Sequence, residues 1–168
     1  MAEVNGIKEL QVKGETIEAR GSFKFAQQAE AYKKKQEVDG REQETDGITV
    51  IFGEILERKM SGLAKFWHCA SAVKHKNKFT LEDIEDALDQ KINDEDVHPI
   101  EFFKGAAEVM NESRWFEEEV GNFWLMLNRS KKFSKEENKE QAEAYVEMTI
   151  DNYKAITGKE PYKRTNKK

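Results

Sequence analysis

The sequence predicts a mostly α-helical protein: a compact helical domain with a small N-terminal β-hairpin and a long C-terminal helix. Three observations lead to this prediction. The chain holds two prolines and many Glu, Lys and Ala residues, which favour helices. Apolar residues recur at three- and four-residue spacing along most of the chain, the period of an amphipathic helix. Residues that commonly cap helices precede several of these stretches.

The predicted hairpin lies between Ile7 and Arg20. Apolar and charged residues alternate on both sides of Lys13-Gly14, which is typical of two strands joined by a tight turn. Because two strands alone are marginally stable, we expect the hairpin to pack on the rest of the domain.

A helix and then a loop are predicted next. Ser22 is placed to cap a helix that runs through Tyr32 to Lys33-Lys34-Lys35, where positive charge suits the helix dipole. Residues 36–46 contain Gly40 and are otherwise almost entirely polar, which predicts a loop.

The middle of the chain predicts two apolar helices. Asp46 can cap the first, which continues past Leu56, although its β-branched residues 48–51 leave a buried strand as an alternative. Ser61 can cap the second, residues 63–74. This stretch is apolar around much of its circumference, so we expect it at the centre of the fold.

Two capping boxes mark the sharpest helix starts. Thr80 and Asp83 form the first, before an amphipathic helix that reaches Ile92. The second is Ser134–Glu137, which opens a long helix that Gly158 ends.

Two further helices are predicted between these capping boxes. The first begins at Asn93 or Asp94, with Pro99 near its first turn, where the missing N–H costs little. The second begins at Ser113.

Charge is distributed unevenly along the chain. Residues 1–128 carry 26 acidic and 17 basic side chains, whereas residues 129–168 carry 7 and 11. This change places the predicted boundary at Arg129–Phe133. Residues 1–130 are predicted as the hairpin and helical domain, and residues 131–168 as a C-terminal helix with a basic disordered tail. Nucleic acid is disfavoured as a partner because the acidic body would oppose phosphate binding.

The composition also predicts where the protein works. Its single cysteine, Cys69, cannot form an internal disulfide, so an oxidising compartment is not indicated. Residues 1–13 lack the apolar run of a signal peptide, and no stretch has the length of a membrane span. We therefore expect a cytoplasmic protein that does not contact a membrane.

The residue types that carry catalysis or bind metal ions do not occur at suitable spacings. His68 and His75 are separated by about two helical turns, roughly 10 Å, which is too far for one metal ion. Cys69 follows His68 directly, and adjacent helical residues point in different directions. The many carboxylates lie on polar helix faces. We expect no enzyme activity, no metal and no cofactor.

Four adjacent aromatic pairs are the most informative feature for binding. They are Phe66-Trp67, Phe102-Phe103, Trp115-Phe116 and Phe123-Trp124. Adjacent helical residues diverge by about 100°, so we expect one member of some pairs to lie at the edge of the core or outside it. Exposed aromatic side chains on a highly charged protein are typical of a surface that binds a partner.

The order of these elements resembles the tail assembly chaperones of long-tailed bacteriophages, in the form found in phages of Gram-positive hosts. The resemblance covers residues 5–130. The segments that carry it are Ile17 to Phe25, Gly47 to Leu56, Lys78 to Asp89, Asn93 to Asp96 and Trp115 to Trp124. Within them, Thr80-Leu81-Glu82-Asp83 is similar to the Leu-Thr-x-Glu-Asp segment of the family.

The resemblance implies a function without an active site. Such proteins bind the tape measure protein in the host cytoplasm, keep its long apolar helices soluble and help to recruit tail tube subunits, in many phages through a longer frameshifted form. They are usually absent from the finished virion. A homo-oligomer is compatible with the sequence, which leaves the oligomeric state open. We expect the partner-binding surface to include Phe102, Phe103, Trp115, Phe116 and Trp124.

A second class of binder is the alternative. A small phage or bacterial regulatory protein that binds a host protein or nucleic acid would have a similar composition. Salt-sensitive retention on DNA would favour this alternative.

Overall fold

The computed structural model describes residues 5–38, 40–133 and 136–161. This part of the chain forms seven α-helices and two small antiparallel hairpins. The strands are β1 (Glu9–Val12), β2 (Glu15–Glu18), β3 (Lys34–Val38) and β4 (Arg41–Thr45). The helices are α1 (Phe23–Ala29), α2 (Gly47–Leu56), α3 (Met60–His75), α4 (Leu81–Asp89), α5 (Pro99–Glu112), α6 (Glu117–Phe133) and α7 (Glu136–Thr157). The predicted mostly helical fold, with its N-terminal hairpin and long C-terminal helix, is confirmed.

Helix α3 lies at the centre of the core, as its apolar circumference predicts. It packs against α1, α2, α4 and α5 and against strand β2. Phe66, Trp67 and Cys69 are completely buried along it. The burial of large side chains on several sides of this helix contributes to the hydrophobic stabilisation of the domain.

The first hairpin packs on this core, as predicted. Strand β1 pairs with β2 and contacts α4, while β2 contacts α3. Leu10 and Ile17 are directly opposite each other and point into the core. The turn places Lys13 and Gly14 at positive φ, and the Lys13 Nζ atom lies 2.8 Å from the Asp83 carboxylate.

The predicted helix through Lys35 and the predicted loop at 36–46 are wrong, because a second hairpin occupies this region. Helix α1 ends at Ala29, and a single 3₁₀ turn leads into β3. Gly47 lets the start of α2 pack directly against the end of α1, since a Cβ atom at Gly47 would collide with the carbonyl oxygen of Ala29. The hydroxyl of Tyr32 is hydrogen-bonded to Nδ1 of His68 at 2.6 Å, which fixes the turn against α3.

Two predicted helix starts are also wrong. Helix α3 begins at Met60, so Ser61 lies inside it, and its hydroxyl donates to Glu54 at 3.1 Å. Lys65 reaches the same buried carboxylate at 2.8 Å, so Ser61 helps to satisfy a buried ion pair. Helix α5 begins at Pro99 rather than at Asn93 or Asp94, because a wide π-helical turn (Gln90–Asp94) extends α4.

The other predicted caps are present where the structure describes them. The side chains of Ser22, Asp46 and Ser113 accept hydrogen bonds from the first turns that follow them. Gly158 adopts φ 74° after the last helix. Ser134 and the predicted basic tail at 162–168 lie outside the described residues.

Replacing Thr80 with alanine is expected to destabilise the protein by about 1 kcal/mol. The Thr80 hydroxyl accepts from the Asp83 N–H at 3.1 Å, and the Asp83 carboxylate accepts from the Thr80 N–H at 3.0 Å. Thr80→Ala removes one half of this box, whereas Thr80→Ser keeps the acceptor and is the matched control. Urea denaturation measures both. Equal stability of the alanine and serine variants would show that the box contributes nothing.

Helix α7 packs on the body of the protein. It contacts α2, α5 and α6, and buries Val146, Tyr153 and Ile156. Lys159, beyond its end, lies 2.6 Å from the Glu112 carboxylate of α5. The division into residues 1–130 and 131–168 stays a prediction.

Candidate protein-binding groove

An open groove with a volume of about 610 Å³ runs between strand β4, the start of α2, helix α6 and helix α7. We call it the β4–α6 groove. Its lining residues are Gln43, Glu44, Thr45, Asp46, Thr49, Asn122, Phe123, Met126, Leu127, Ser130 and Tyr145. Most of its accessible lining is apolar, which distinguishes it from the polar cleft at the start of α6.

The floor of the groove is one face of α6. Phe123 and Leu127 are four residues apart, so they lie on the same side of the helix. The Phe123 ring is held edge-to-face against Phe52 at 5.0 Å and against Trp124 at 5.3 Å. Met126 rises from this packed floor and is 62% exposed. A flexible, polarisable methionine can adapt to side chains of varied shape.

Helix α7 forms the opposite wall of the groove. Tyr145 is 41% exposed, and its hydroxyl donates to the Glu57 carboxylate at 3.1 Å. Burial and the adjacent Glu57 carboxylate raise the pKa of Tyr145, which keeps the hydroxyl protonated as a donor. Met148 lies one turn further along α7 and is 47% exposed. Tyr145 lines the groove, and Met148 is an exposed apolar residue of α7 outside the lining.

The polar side of the groove is acidic. Asp46 is held in place because its two carboxylate oxygens accept from the N–H and the hydroxyl of Thr49, at 2.9 and 2.7 Å. Glu44 is half-exposed and lies 3.3 Å from Lys33. Among the described lining residues, two are acidic and none is basic. The groove therefore presents an apolar floor beside a negatively charged edge.

The structure places most of the predicted aromatic candidates in the core. Phe102, Phe103, Phe116 and Trp124 are buried, and Trp115 is partly exposed. The expectation that some pairs have one member at the edge of the core is confirmed for Trp115-Phe116 and Phe123-Trp124, where Trp115 and Phe123 are partly exposed. In Phe66-Trp67 and Phe102-Phe103 both members are buried. The reason is that α3 and α5 are packed by neighbours on more than one side.

The partly exposed Trp115 belongs to a second, smaller apolar spot. Its ring meets Phe23 edge-to-face at 4.7 Å, and Phe23 is 74% exposed. Gly21 lies directly beneath Trp115, where a Cβ atom would be within 2.7 Å of the ring carbon Cγ. None of these three residues lines the β4–α6 groove. A binding role for the five predicted aromatic residues stays a prediction.

The sequence reasoning missed Met126, Tyr145 and Met148. A signal for Met126 is present, because it lies off the apolar stripe of α6 that contains the buried Val120, Trp124 and Leu127. An apolar residue outside the buried stripe of a helix is a candidate for a surface contact when other exposed apolar residues lie near it. Tyr145 could not be placed this way, since its neighbours come from β4, α2 and α6.

Cys69 and the histidines His68 and His98 have surroundings that suit a structural role. Burial lowers the pKa of His68 and raises the pKa of the Cys69 thiol, which favours the neutral form of both groups. His98 caps α5 by accepting from the Ile100 N–H at 3.1 Å. In the described part of the chain, no three His, Cys, Asp or Glu side chains are close enough to hold a metal ion. None of the described helices is both long and apolar enough to cross a membrane.

The fold and the groove define a mostly helical protein with an open, largely apolar groove on its surface. A family model for the phage tail assembly chaperone protein, TAC, matches residues 9–124, and the chain belongs to this family. The match confirms the resemblance to the tail assembly chaperones and ends within α6, whereas the form found in phages of Gram-positive hosts stays a prediction. No curated protein and no solved structure gave a significant match.

Proposed function

We propose that this tail assembly chaperone binds the tape measure protein of its phage, keeps it soluble and helps to recruit tail tube subunits. The β4–α6 groove is the proposed binding surface. In this proposal the protein acts in the host cytoplasm without catalysis and is left out of the mature virion. The family match supports the role in tail assembly, and the groove supports the binding of an apolar segment.

The physical support for the groove is an apolar surface that water can reach. Met126, Tyr145 and Met148 are all exposed by more than a third, although each is a large residue that burial would stabilise. Covering them with apolar side chains of a partner would remove this surface from water. The rest of the protein is highly charged, with a net charge of −5, which favours solubility of the complex.

Co-expression with the tape measure protein tests the proposal. We expect the wild-type chain to keep the tape measure protein in the soluble fraction, and Met126→Asp to lose most of this effect. An aspartate would place a charge on the apolar floor, which is costly when a partner covers it. Because Met126 is largely exposed, the free energy of unfolding of this variant should lie within about 0.5 kcal/mol of the wild-type value.

Phe23→Asp is the comparison variant, since Phe23 is also largely exposed but lies outside the groove. If the tape measure protein precipitates with the wild-type chain, the proposed function is wrong. If Phe23→Asp releases the tape measure protein and Met126→Asp does not, binding lies at Phe23 and Trp115 and the groove is the wrong surface. Recovery of the tube protein with the soluble complex tests recruitment.

A further inference from the structure

The β4–α6 groove is bounded by the free edge of strand β4. Three consecutive residues of β4, Gln43 to Thr45, line the groove, and none of the described residues of β3 does. The face of a strand contributes alternate residues, because successive side chains point to opposite sides. Consecutive residues, with the paired strand absent, indicate that the edge opposite β3 borders the groove.

The register shows which backbone groups point to this edge. Val38 pairs with Arg41 across a two-residue connection, so these two residues form a hydrogen-bonded pair. Hydrogen-bonded and non-hydrogen-bonded pairs alternate along an antiparallel ladder. Glu42 and Glu44 are therefore in non-hydrogen-bonded pairs, and their backbone N–H and C=O groups point away from β3. Among the described residues, none forms a hydrogen bond with these backbone groups.

We propose that the groove binds an extended segment of the partner, which adds a third strand beside β4. This inference rests on the proposed function only for the identity of the partner. The segment would pair with the free N–H and C=O groups of Glu44. Its alternate side chains would lie on Phe123, Met126 and Leu127. Strand addition of this kind obtains affinity from main-chain hydrogen bonds and specificity from alternate side chains.

The dimensions and charges of the groove define the segment. The α6 residues from Asn122 to Ser130 span about 12 Å, and the five residues of β4 span about 14 Å. A segment of about five residues fits, with two or three apolar side chains on one face. The carboxylates of Glu44 and Asp46 repel acidic side chains, so the positions of the segment that lie between its apolar residues are expected to be neutral or basic.

An extended segment uses the whole site, whereas a helix uses only part of it. A helix satisfies its own backbone groups and would leave the Glu44 N–H without a protein partner. A strand satisfies the edge and covers the apolar floor together. The conformation of the bound segment is therefore the property to test.

Proline at position 44 distinguishes the binding of an extended segment from the binding of a helix. Glu44→Pro removes an N–H that the hairpin does not use, and Glu44→Gln measures the contribution of the side-chain charge. We expect Glu44→Pro to bind the tape measure protein about tenfold more weakly than Glu44→Gln, the effect of one lost hydrogen bond. Lys35→Pro is the matched control. Lys35 is opposite Glu44, and its free edge faces away from the groove. The Lys35→Pro variant should bind the tape measure protein as tightly as the wild type does.

Amide exchange of the ¹⁵N-labelled full chain provides a second measurement. The Glu44 N–H should exchange at least tenfold more slowly in the complex, while the Lys35 N–H should not change. Equal binding of Glu44→Pro and Lys35→Pro, with no slowing at Glu44, would overturn strand addition even if Met126→Asp abolished binding.

A synthetic peptide keeps this test independent of the proposed function. The probe is a seven-residue peptide that alternates lysine and valine, compared with a peptide of the same composition in two blocks. Selective slowing of Glu44 exchange by the alternating peptide supports strand addition even if the tape measure protein does not bind. Equal effects of both peptides, or no effect at millimolar concentration, overturn it.

Discussion

Gly105→Ala is expected to destabilise the protein by about 3 kcal/mol, because the N-terminal segment crosses α5 at this glycine. A Cβ atom at Gly105 would collide with the carbonyl oxygen of Ile7 and lie within 2.7 Å of the Ile7 nitrogen. These atoms are backbone, so they cannot rotate away as a flexible side chain could. The Ile7 N–H also donates to the Glu101 carbonyl at 2.9 Å, and this bond would be strained or lost.

Urea denaturation measures this effect, and Gly121→Ala is the matched control. Gly121 lies within α6, and a Cβ atom there would meet no other atom within 4 Å. Alanine is the better helix former, so this variant should be more stable than the wild type by roughly 0.5–1 kcal/mol. If both alanine variants were stabilised, the packing of Ile7 on Gly105 would be incorrect.

Phe102→Ala is expected to destabilise the protein by about 3–5 kcal/mol. The Phe102 side chain is 0% exposed, so its removal loses the hydrophobic transfer free energy and leaves a cavity. Phe23→Ala changes the same residue type at 74% exposure and should stay within about 0.5 kcal/mol of the wild type. Thermal and urea unfolding of the two variants, followed by circular dichroism, provide the comparison.

This prediction also decides how binding data on Phe102 are interpreted. A Phe102 variant that fails to bind the tape measure protein because it unfolds says nothing about the binding surface. A Phe102→Ala chain that keeps wild-type stability but loses binding would contradict its burial. Such a result would support the sequence-based prediction that Phe102 contacts the partner.

Local signals in the sequence predicted much of the helical fold. The side chains of Thr80 and Asp83 each accept a hydrogen bond from the backbone N–H of the other residue, three positions away. Their capping box can therefore be recognised without any tertiary contact. Gly158 ends α7 for a similarly local reason, since glycine adopts positive φ without steric cost. The alternation around Lys13-Gly14 marked the first hairpin because one face of it is buried.

The second hairpin lacks that signal. Strands β3 and β4 are almost entirely exposed and polar, so burial imposes no alternation on their sequence. Their position depends on Gly47 packing against Ala29 and on the hydrogen bond between Tyr32 and His68. These pairs are separated by 18 and 36 residues, beyond the range of any local pattern.

The sequence by itself determined that this protein is mostly helical, with an early hairpin and a long last helix, and that it resembles the tail assembly chaperones. The helices and the hairpin follow from periodicity and capping, which act over a few residues, and the resemblance rests on the order of these elements and on the segment around Thr80. Only the tertiary structure decided which aromatic side chains are buried and where an apolar surface remains open. Phe102 and Phe103 are both buried because helices cover α5 on more than one side, whereas Met126 stays exposed beside the free edge of β4. Burial is a property of packed neighbours, and the residues that bound this groove come from four separate elements of the chain.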